Sequence, residues 1–197
     1  MLDLSIFRKY DIRGIVDSQL NYNIVTLIAK ALAVMAQQRN ITEFIIARDG
    51  RLSSSKLSEA LINGLLSSGC NIIDIGLNST PLLYFATHNL KATSGIMITG
   101  SHNPKNYNGL KIIFNKKSLL AKEIQEIAAI IQAKNFKNGK GILKKQDIRK
   151  LYFATIVKQF TKKNKKLRVV VDCGNGVAGT IAQDFYKLLN CEVIPLY

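Results

Sequence analysis

Short apolar runs alternate with amphipathic stretches along most of this chain, and that alternation leaves few folds open to it. Residues 23–37 place Ile24, Leu27, Ile28, Ala31, Leu32 and Met35 three or four apart, the spacing that lines one face of a helix. The run Phe44-Ile45-Ile46-Ala47 reads as a buried strand. A helix is expected from the serines at 53–55 to about Ser68, with Gly69 as its stop. Residues 71–75 read as a strand, Pro81 opens another helix, residues 95–98 form a strand, and 119–133 form a further amphipathic helix. Strands separated by helices of about 10–15 residues predict an α/β fold: a layered, mainly parallel sheet with flanking helices. No repeat of solenoid period and no long low-complexity tract competes with that reading.

The strand 95–98 runs directly into Thr99-Gly100-Ser101-His102-Asn103-Pro104. Gly100 permits a close backbone approach, and Pro104 cannot continue a strand ladder. Ser101 is therefore expected on a tight loop, exposed and aimed, as a phosphoryl carrier must be. A nucleophile elbow asks for Gly-x-Ser-x-Gly, which Thr99 and Asn103 break. In extended backbone His102 would diverge from Ser101 instead of lining up as its base. His88 follows a helical segment and is expected to be structural.

A phosphorylated serine carries roughly −1.5 to −2 charges near neutral pH, so its surroundings must be cationic. Lys111 lies in Gly109-Leu110-Lys111-Ile112-Ile113-Phe114, which reads as the next strand; a loop that doubles back would bring it alongside Ser101. Arg13, in Tyr10-Asp11-Ile12-Arg13-Gly14, offers a planar fork suited to bidentate phosphate binding. A third basic loop, Arg48-Asp49-Gly50-Arg51, follows the run at 44–47. Strand ends are where open α/β sheets place ligands.

These residues resemble the α-D-phosphohexomutases, in their bacterial phosphomannomutase/phosphoglucomutase branch. The matching segments are 7–14, 48–52, 80–86, 99–104, 107–111 and 171–179, in family order. The resemblance implies that Ser101 is phosphorylated and is a Mg²⁺ ligand. It implies that Arg13 and Lys111 serve the phosphoryl group or proton transfer, with His102 beside them in the catalytic set. Tyr10, Arg13 and Lys111 would meet the substrate, a phosphorylated hexose, with a hexose 1,6-bisphosphate as activator. The activity implied is transfer between hexose 1-phosphate and hexose 6-phosphate through the phosphoserine.

A second unit is expected from residue 148, dividing the chain into a first domain over 1–147 and an incomplete second α/β domain over 148–197. Residues 148–161 look helical, 161–166 read as a solvated hinge, and 167–172 as a new strand. Gly174-Asn175-Gly176-Val177-Ala178-Gly179 matches the dinucleotide fingerprint literally. Its acidic partner should end the next strand, yet Glu192 stands near the start of 191–197, where it could not meet a ribose; the family resemblance implies instead that this glycine loop is a structural turn of the second domain. No two of the aspartates at 3, 11, 17, 49, 74, 147, 172 and 184 are separated by a single residue, so an Asp-x-Asp metal loop is absent. The chain is expected to be the amino-terminal part of a longer enzyme and inactive alone. The alternative is a non-catalytic remnant that folds and binds a partner, such as the carboxy-terminal part.

Charge is uneven. From Lys105 to Arg168 there are 18 Lys and Arg against three acidic residues, and elsewhere the signs balance. A pI near 9.8 meets the usual criterion for nucleic-acid binding. The lysines nevertheless scatter over helix faces with no helix-turn-helix or aromatic stacking motif, so no specific nucleic-acid partner is expected. The longest apolar stretch, 24–36, is interrupted by Lys30 and is too short for a bilayer. Three cysteines without metal-ligand spacing, and a start without a basic leader, point to a reduced cytoplasmic protein.

Overall fold

The computed structural model describes residues 2–160 and 166–196. After a 3-10 turn at Leu4–Ile6 come β1 (Ile12–Ile15), α1 (Tyr22–Gln38), β2 (Glu43–Arg48), α2 (Leu52–Leu66), β3 (Asn71–Leu77) and α3 (Thr80–Asn89). The chain continues through β4 (Gly95–Ile98), β5 (Tyr107–Phe114), β6 (Lys117–Ser118), α4 (Ala121–Ala133) and β7 (Leu143–Lys145). Then follow α5 (Arg149–Val157), β8 (Arg168–Val171), a 3-10 turn at Val177–Thr180, α6 (Ala182–Leu188) and β9 (Glu192–Pro195).

The central sheet runs β1-β5-β4-β2-β3-β7, with β6 on β5. Its heart is the parallel set expected from the alternation, β4, β2, β3 and β7. Three antiparallel pairings, β4–β5, β5–β1 and β5–β6, extend it, so the sheet is mixed. Helices cover both faces, and strand residues of either parity are therefore apolar. Phe44 and Ile46 pack with α1, α2 and α4, while Ile45 and Ala47 pack with α3. Full burial of each such isoleucine stabilises the fold by about 1.5–3 kcal/mol.

Element boundaries differ from expectation where side chains have other work. The helix expected at 119 begins at Ala121, because Leu119 is buried and its N–H still donates to Ile112 O of the preceding hairpin (3.1 Å). Gly69, at φ +90°, ends the turn after α2 as expected. Three strands escape the apolar-run criterion. β1 contains Arg13 and Gly14, β6 has two residues, and β7 is exposed throughout and is held only by pairing with β3.

Beyond β7, Ile148 is fully buried in the α3-side core, and Tyr152 stands edge-on to Phe85 with centroids 5.1 Å apart. β8 and β9 form a separate two-stranded parallel sheet. The helix expected over 148–161 runs Arg149–Val157, and most of the expected hinge, 161–165, lies outside the described residues. Glu192 begins β9 and meets Arg168 at 3.4 Å, far from where a ribose-binding carboxylate would stand.

Candidate active site

β4 is buried along its whole length, and the chain leaves the sheet at Thr99. Ser101 takes a left-handed conformation, φ +52°, and is exposed. Its N–H donates to Thr99 Oγ1 at 2.9 Å. The loop closes through Asn103 N–H to Gly100 O (3.1 Å) and returns with Thr99 N–H donating to Gly109 O (3.0 Å). His102 does not diverge: its Nδ1 lies 3.3 Å from Ser101 Oγ. Alternation of side chains belongs to extended backbone, and the left-handed residue suspends it.

The doubling back brings Lys111 to the site in part. β5 is antiparallel to β4, with Lys111 opposite Met97 and Leu110 opposite Ile98. Lys111 therefore shares a sheet face with Thr99, one two-residue step of roughly 7 Å back along the strands.

Arg13 is not on a loop. It sits in β1 opposite Gly109, and its side chain is 2% exposed. Nη1 donates to Thr99 O, and Nη2 donates to Asp11 Oδ2 at 2.6 Å. A guanidinium buried this far needs its donors satisfied. Through these two bonds the guanidinium is anchored at the base of the serine loop.

The Arg48-Asp49-Gly50-Arg51 segment is likewise a scaffold rather than a free cationic loop. Asp49 N–H donates to Ile98 O (2.9 Å), which carries its carboxylate beside the serine loop. That carboxylate accepts from Gly100 N–H (2.9 Å), Arg51 N–H (3.0 Å) and Ser54 Oγ (2.5 Å). Arg51 sends Nη1 to Pro104 O (2.6 Å) and Tyr107 O (2.9 Å), and Nη2 to Asn103 O (2.6 Å) and Ser101 O (3.1 Å). A methyl group at Gly100 would overlap the Arg51 guanidinium.

Arg51 is also the N-cap of α2, so the serines at 53–55 lie inside the first turn instead of starting it. Two of their hydroxyls hold Asn108, whose Nδ2 donates to Ser53 Oγ (2.8 Å) and Ser54 Oγ (2.9 Å). Asp49 and Asn108 are the site residues the sequence reading passed over. Their available signals were the Asp-x-Arg spacing and an Asn-Gly pair opening a strand. Tyr10 is 65% exposed, with Lys9 Nζ 5.4 Å from its ring centroid.

The family described as phosphoglucomutase/phosphomannomutase, alpha/beta/alpha domain I, matches residues 4–138. The chain belongs to this family. It is 43% identical over 193 residues to a phosphomannomutase/phosphoglucomutase of Pseudomonas putida, covering 98% of this chain and 42% of that protein. It is 39% identical over 194 residues to a phosphoglucomutase of Neisseria gonorrhoeae, again covering 98% and 42%. The crystal structure of a phosphoglucomutase/phosphomannomutase family protein from Burkholderia thailandensis shares the fold at TM-score 0.93 and 35% identity, over 100% of this chain and 44% of that one. The chain spans about 42% of the length of these curated relatives, and the amino-terminal domain of the family is the part that matches.

Within this phosphoglucomutase/phosphomannomutase domain the oxygen donors near Ser101 are mostly spoken for. Asp49 and Asp11 already accept from the groups named above, leaving the Ser101 hydroxyl. Mg²⁺ asks for about six oxygens in octahedral geometry. The described residues hold no cluster of three or more His, Cys, Asp or Glu. They do not amount to a magnesium site by themselves. A cleft of about 510 Å³ runs along the same sheet edge, at the ends of β2, β3 and β7, lined in part by Arg48, Asn78, Lys145 and Arg149. Cys70 is sealed in the core, and burial pushes its thiol up to about 11, which rules it out as a nucleophile near neutral pH. His88 Nδ1 lies 2.9 Å from Tyr84 O and 3.3 Å from Thr87 Oγ1, both on its own helix. No helix among the described residues is long and apolar enough to cross a membrane.

Proposed function

We propose that this chain is the amino-terminal, phosphoserine-bearing part of a phosphohexomutase that interconverts hexose 1-phosphates and hexose 6-phosphates. The observation that carries the reading is the exposed Ser101 hydroxyl, held in a left-handed turn at the carboxyl end of β4 by a loop whose backbone groups are already bonded.

In the cycle, phosphoserine 101 gives its phosphoryl group to a free hydroxyl of the bound hexose phosphate. The phosphorus–Oγ bond breaks as the phosphorus–sugar oxygen bond forms, and a proton passes from the sugar hydroxyl to the serine oxygen. The bisphosphate then turns over, and Ser101 takes the other phosphoryl group while its own proton leaves. His102 Nδ1, 3.3 Å from Oγ, receives and returns that proton. Lys111 stands one rung behind the loop and offsets the phosphoryl charge. Arg13 fixes the loop's base through Thr99 O, and exposed Tyr10 meets the sugar. Mg²⁺ would draw one oxygen from Ser101 and its other ligands from the carboxy-terminal portion of such an enzyme.

The reading divides the chain into a first domain over 1–147 and the opening of a second over 148–197. It places the protein in a reducing compartment such as the cytoplasm, in keeping with three free thiols. Incubation with a hexose 1,6-bisphosphate and Mg²⁺, with the carboxy-terminal portion of the enzyme supplied in trans, followed by intact-mass and peptide analysis, tests it. One phosphate on Ser101, absent from Ser101→Ala, is expected. Labelling that persists in Ser101→Ala removes Ser101 from its role. Mutase turnover by these residues alone is not expected, because the ligands they offer the metal are incomplete.

A further inference from the structure

The serine loop has an unusual interior. Between Thr99 and Tyr107 the chain turns four carbonyl oxygens, those of Ser101, Asn103, Pro104 and Tyr107, toward one point, and the Arg51 guanidinium occupies that point. Converging carbonyl dipoles repel one another unless a cation with several fixed donors sits among them. A planar guanidinium meets that demand, whereas an ammonium presents a point charge with a different donor geometry. The group is itself held in place. Asp49 Oδ2 stands 3.6 Å from Arg51 Nε and also accepts the Gly100 N–H, so one carboxylate ties the cation to the residue preceding Ser101. The space is filled on the far side as well, since Gly100 has no room for a methyl group against the guanidinium.

From this geometry we propose that Arg51 is the positioning residue of the phosphoryl-acceptor loop: it binds loop carbonyls rather than phosphate, and so holds Ser101 in the left-handed turn that presents its hydroxyl. The functional half rests on the reading of Ser101 given above, and the structural half does not. A left-handed serine is uncommon and needs surroundings that over-determine it. Arg51, Asp49 and the Thr99 hydroxyl together restrain the chain from Gly100 to Tyr107. Removing the guanidinium frees the carbonyls to turn toward water and releases the turn.

The test uses the chain as it is, with Arg51→Gln, Arg51→Lys and Gly100→Ala beside the wild type. Amide hydrogen exchange at Gly100, Ser101 and Asn103 reads the loop, and exchange at Ile45 and Ile96 reads the sheet. In Arg51→Gln the loop amides should exchange on the order of 10- to 100-fold faster, the loss of hydrogen bonds to a charged group, while the sheet amides hold. Arg51→Lys should fall between. Gly100→Ala, which displaces the guanidinium without deleting it, should release the loop in the same way. Unchanged loop exchange in Arg51→Gln, or equal acceleration in loop and sheet, overturns the proposal.

Phosphate gain at Ser101 as a function of bisphosphate concentration, with the carboxy-terminal portion of the enzyme supplied in trans, gives the functional half. Loss of positioning lowers the limiting rate and leaves the half-saturating concentration in place. A freed loop that still labels at the wild-type rate overturns positioning. A wild type that takes no phosphate overturns the phosphoserine reading, and the exchange data still decide whether Arg51 holds the loop.

Discussion

Of the three Asp-x-Arg segments in the chain, Asp49-Gly50-Arg51 and Asp147-Ile148-Arg149 stand at corresponding places in the fold, each leading from a strand of the central sheet into a helix. Their ion pairs differ in an instructive direction. Arg149 grips Asp147 closely, with Nη2 to Oδ2 at 2.9 Å and Nε to Oδ1 at 3.0 Å, and the two side chains are 45% and 47% exposed. Arg51 and Asp49 are farther apart, at 3.6 Å, and are 19% and 14% exposed. The tighter pair is closed on itself in solvent, where such pairs are worth about 0–1 kcal/mol. In the looser pair the side chains reach beyond the segment: Asp49 accepts from the Arg51 N–H but also from Gly100 and Ser54, and the Arg51 guanidinium donates to four loop carbonyls. Distance between charges therefore says little about what a pair organises. Burial and the remaining partners say more.

The largest expected break in the comparison comes from deleting the two carboxylates. Asp49→Ala leaves the Gly100 N–H, the Arg51 N–H and the Ser54 hydroxyl without their acceptor, and the Arg51 guanidinium without its counter-charge, in a mostly buried setting. The cost should be about 3 kcal/mol or more, the scale of breaking a buried pair. Asp147→Ala loses an exposed pair and the acceptor for Arg149 N–H (2.9 Å), about 1 kcal/mol in all. At roughly 2–4 °C per kcal/mol for a domain of this size, thermal melting followed by circular dichroism should separate the two variants by several degrees. Equal losses would show that the two pairs are energetically alike and that the Asp49 network is ornamental.

A middle-sized effect sharpens the Asp49–Arg51 half. Gly100→Ala should cost about 1–3 kcal/mol by overpacking against the guanidinium. In an Arg51→Ala background that obstacle is gone, and the same change should add only a few tenths. The resulting coupling, about 1–2 kcal/mol in a double-mutant cycle from urea denaturation, assigns the tightness at Gly100 to Arg51. Additive losses would place it elsewhere in the loop.

The contrast between the two segments was out of reach of the sequence, because identical spacing carries no record of what a side chain meets across the fold. What lies along the chain was legible. The three-and-four spacing in 23–37 marks α1 to within a residue at each end, and unbroken apolar runs mark β2 and β4. Ser101 was legible for the same local reason, a turn sequence after such a run. Arg13 was not read as a strand residue, since its burial is made possible by Thr99 O and Asp11 and not by its own polarity. β7 carries no alternation, as all three of its residues are exposed and only the β3 edge defines it. The serines at 53–55 satisfy the rule for a helix start, yet Asn108 and Asp49, distant in sequence or off the pattern, claim two of their hydroxyls.

The smallest effect isolates the charge in the exposed pair. Hydrogen bonds from the Arg149 side chain, then from its backbone N–H, hold the Asp147 carboxyl below its usual value near 3.8 despite an opposing contribution from burial. A carboxylate whose folded value is depressed adds stability that is fully present above the unfolded value and is lost as pH falls through the folded one. Asp147→Asn keeps an acceptor for the Arg149 N–H and removes only the charge. The stability gap between wild type and this variant should therefore be flat from pH 7 to about 5 and should close as pH drops below about 4. Solvent screening keeps the full gap well under 1 kcal/mol, and raising the salt should shrink it further. Urea midpoints across that pH range, at low and high salt, provide the measurement. The Asp49→Asn gap, at a side chain only 14% exposed, should respond less to salt, because ions screen a partly sequestered carboxylate poorly. Equal salt dependence at the two positions would mean that Asp49 is as open to solvent as Asp147, and the serine loop would then lack the dry anchor on which its positioning depends.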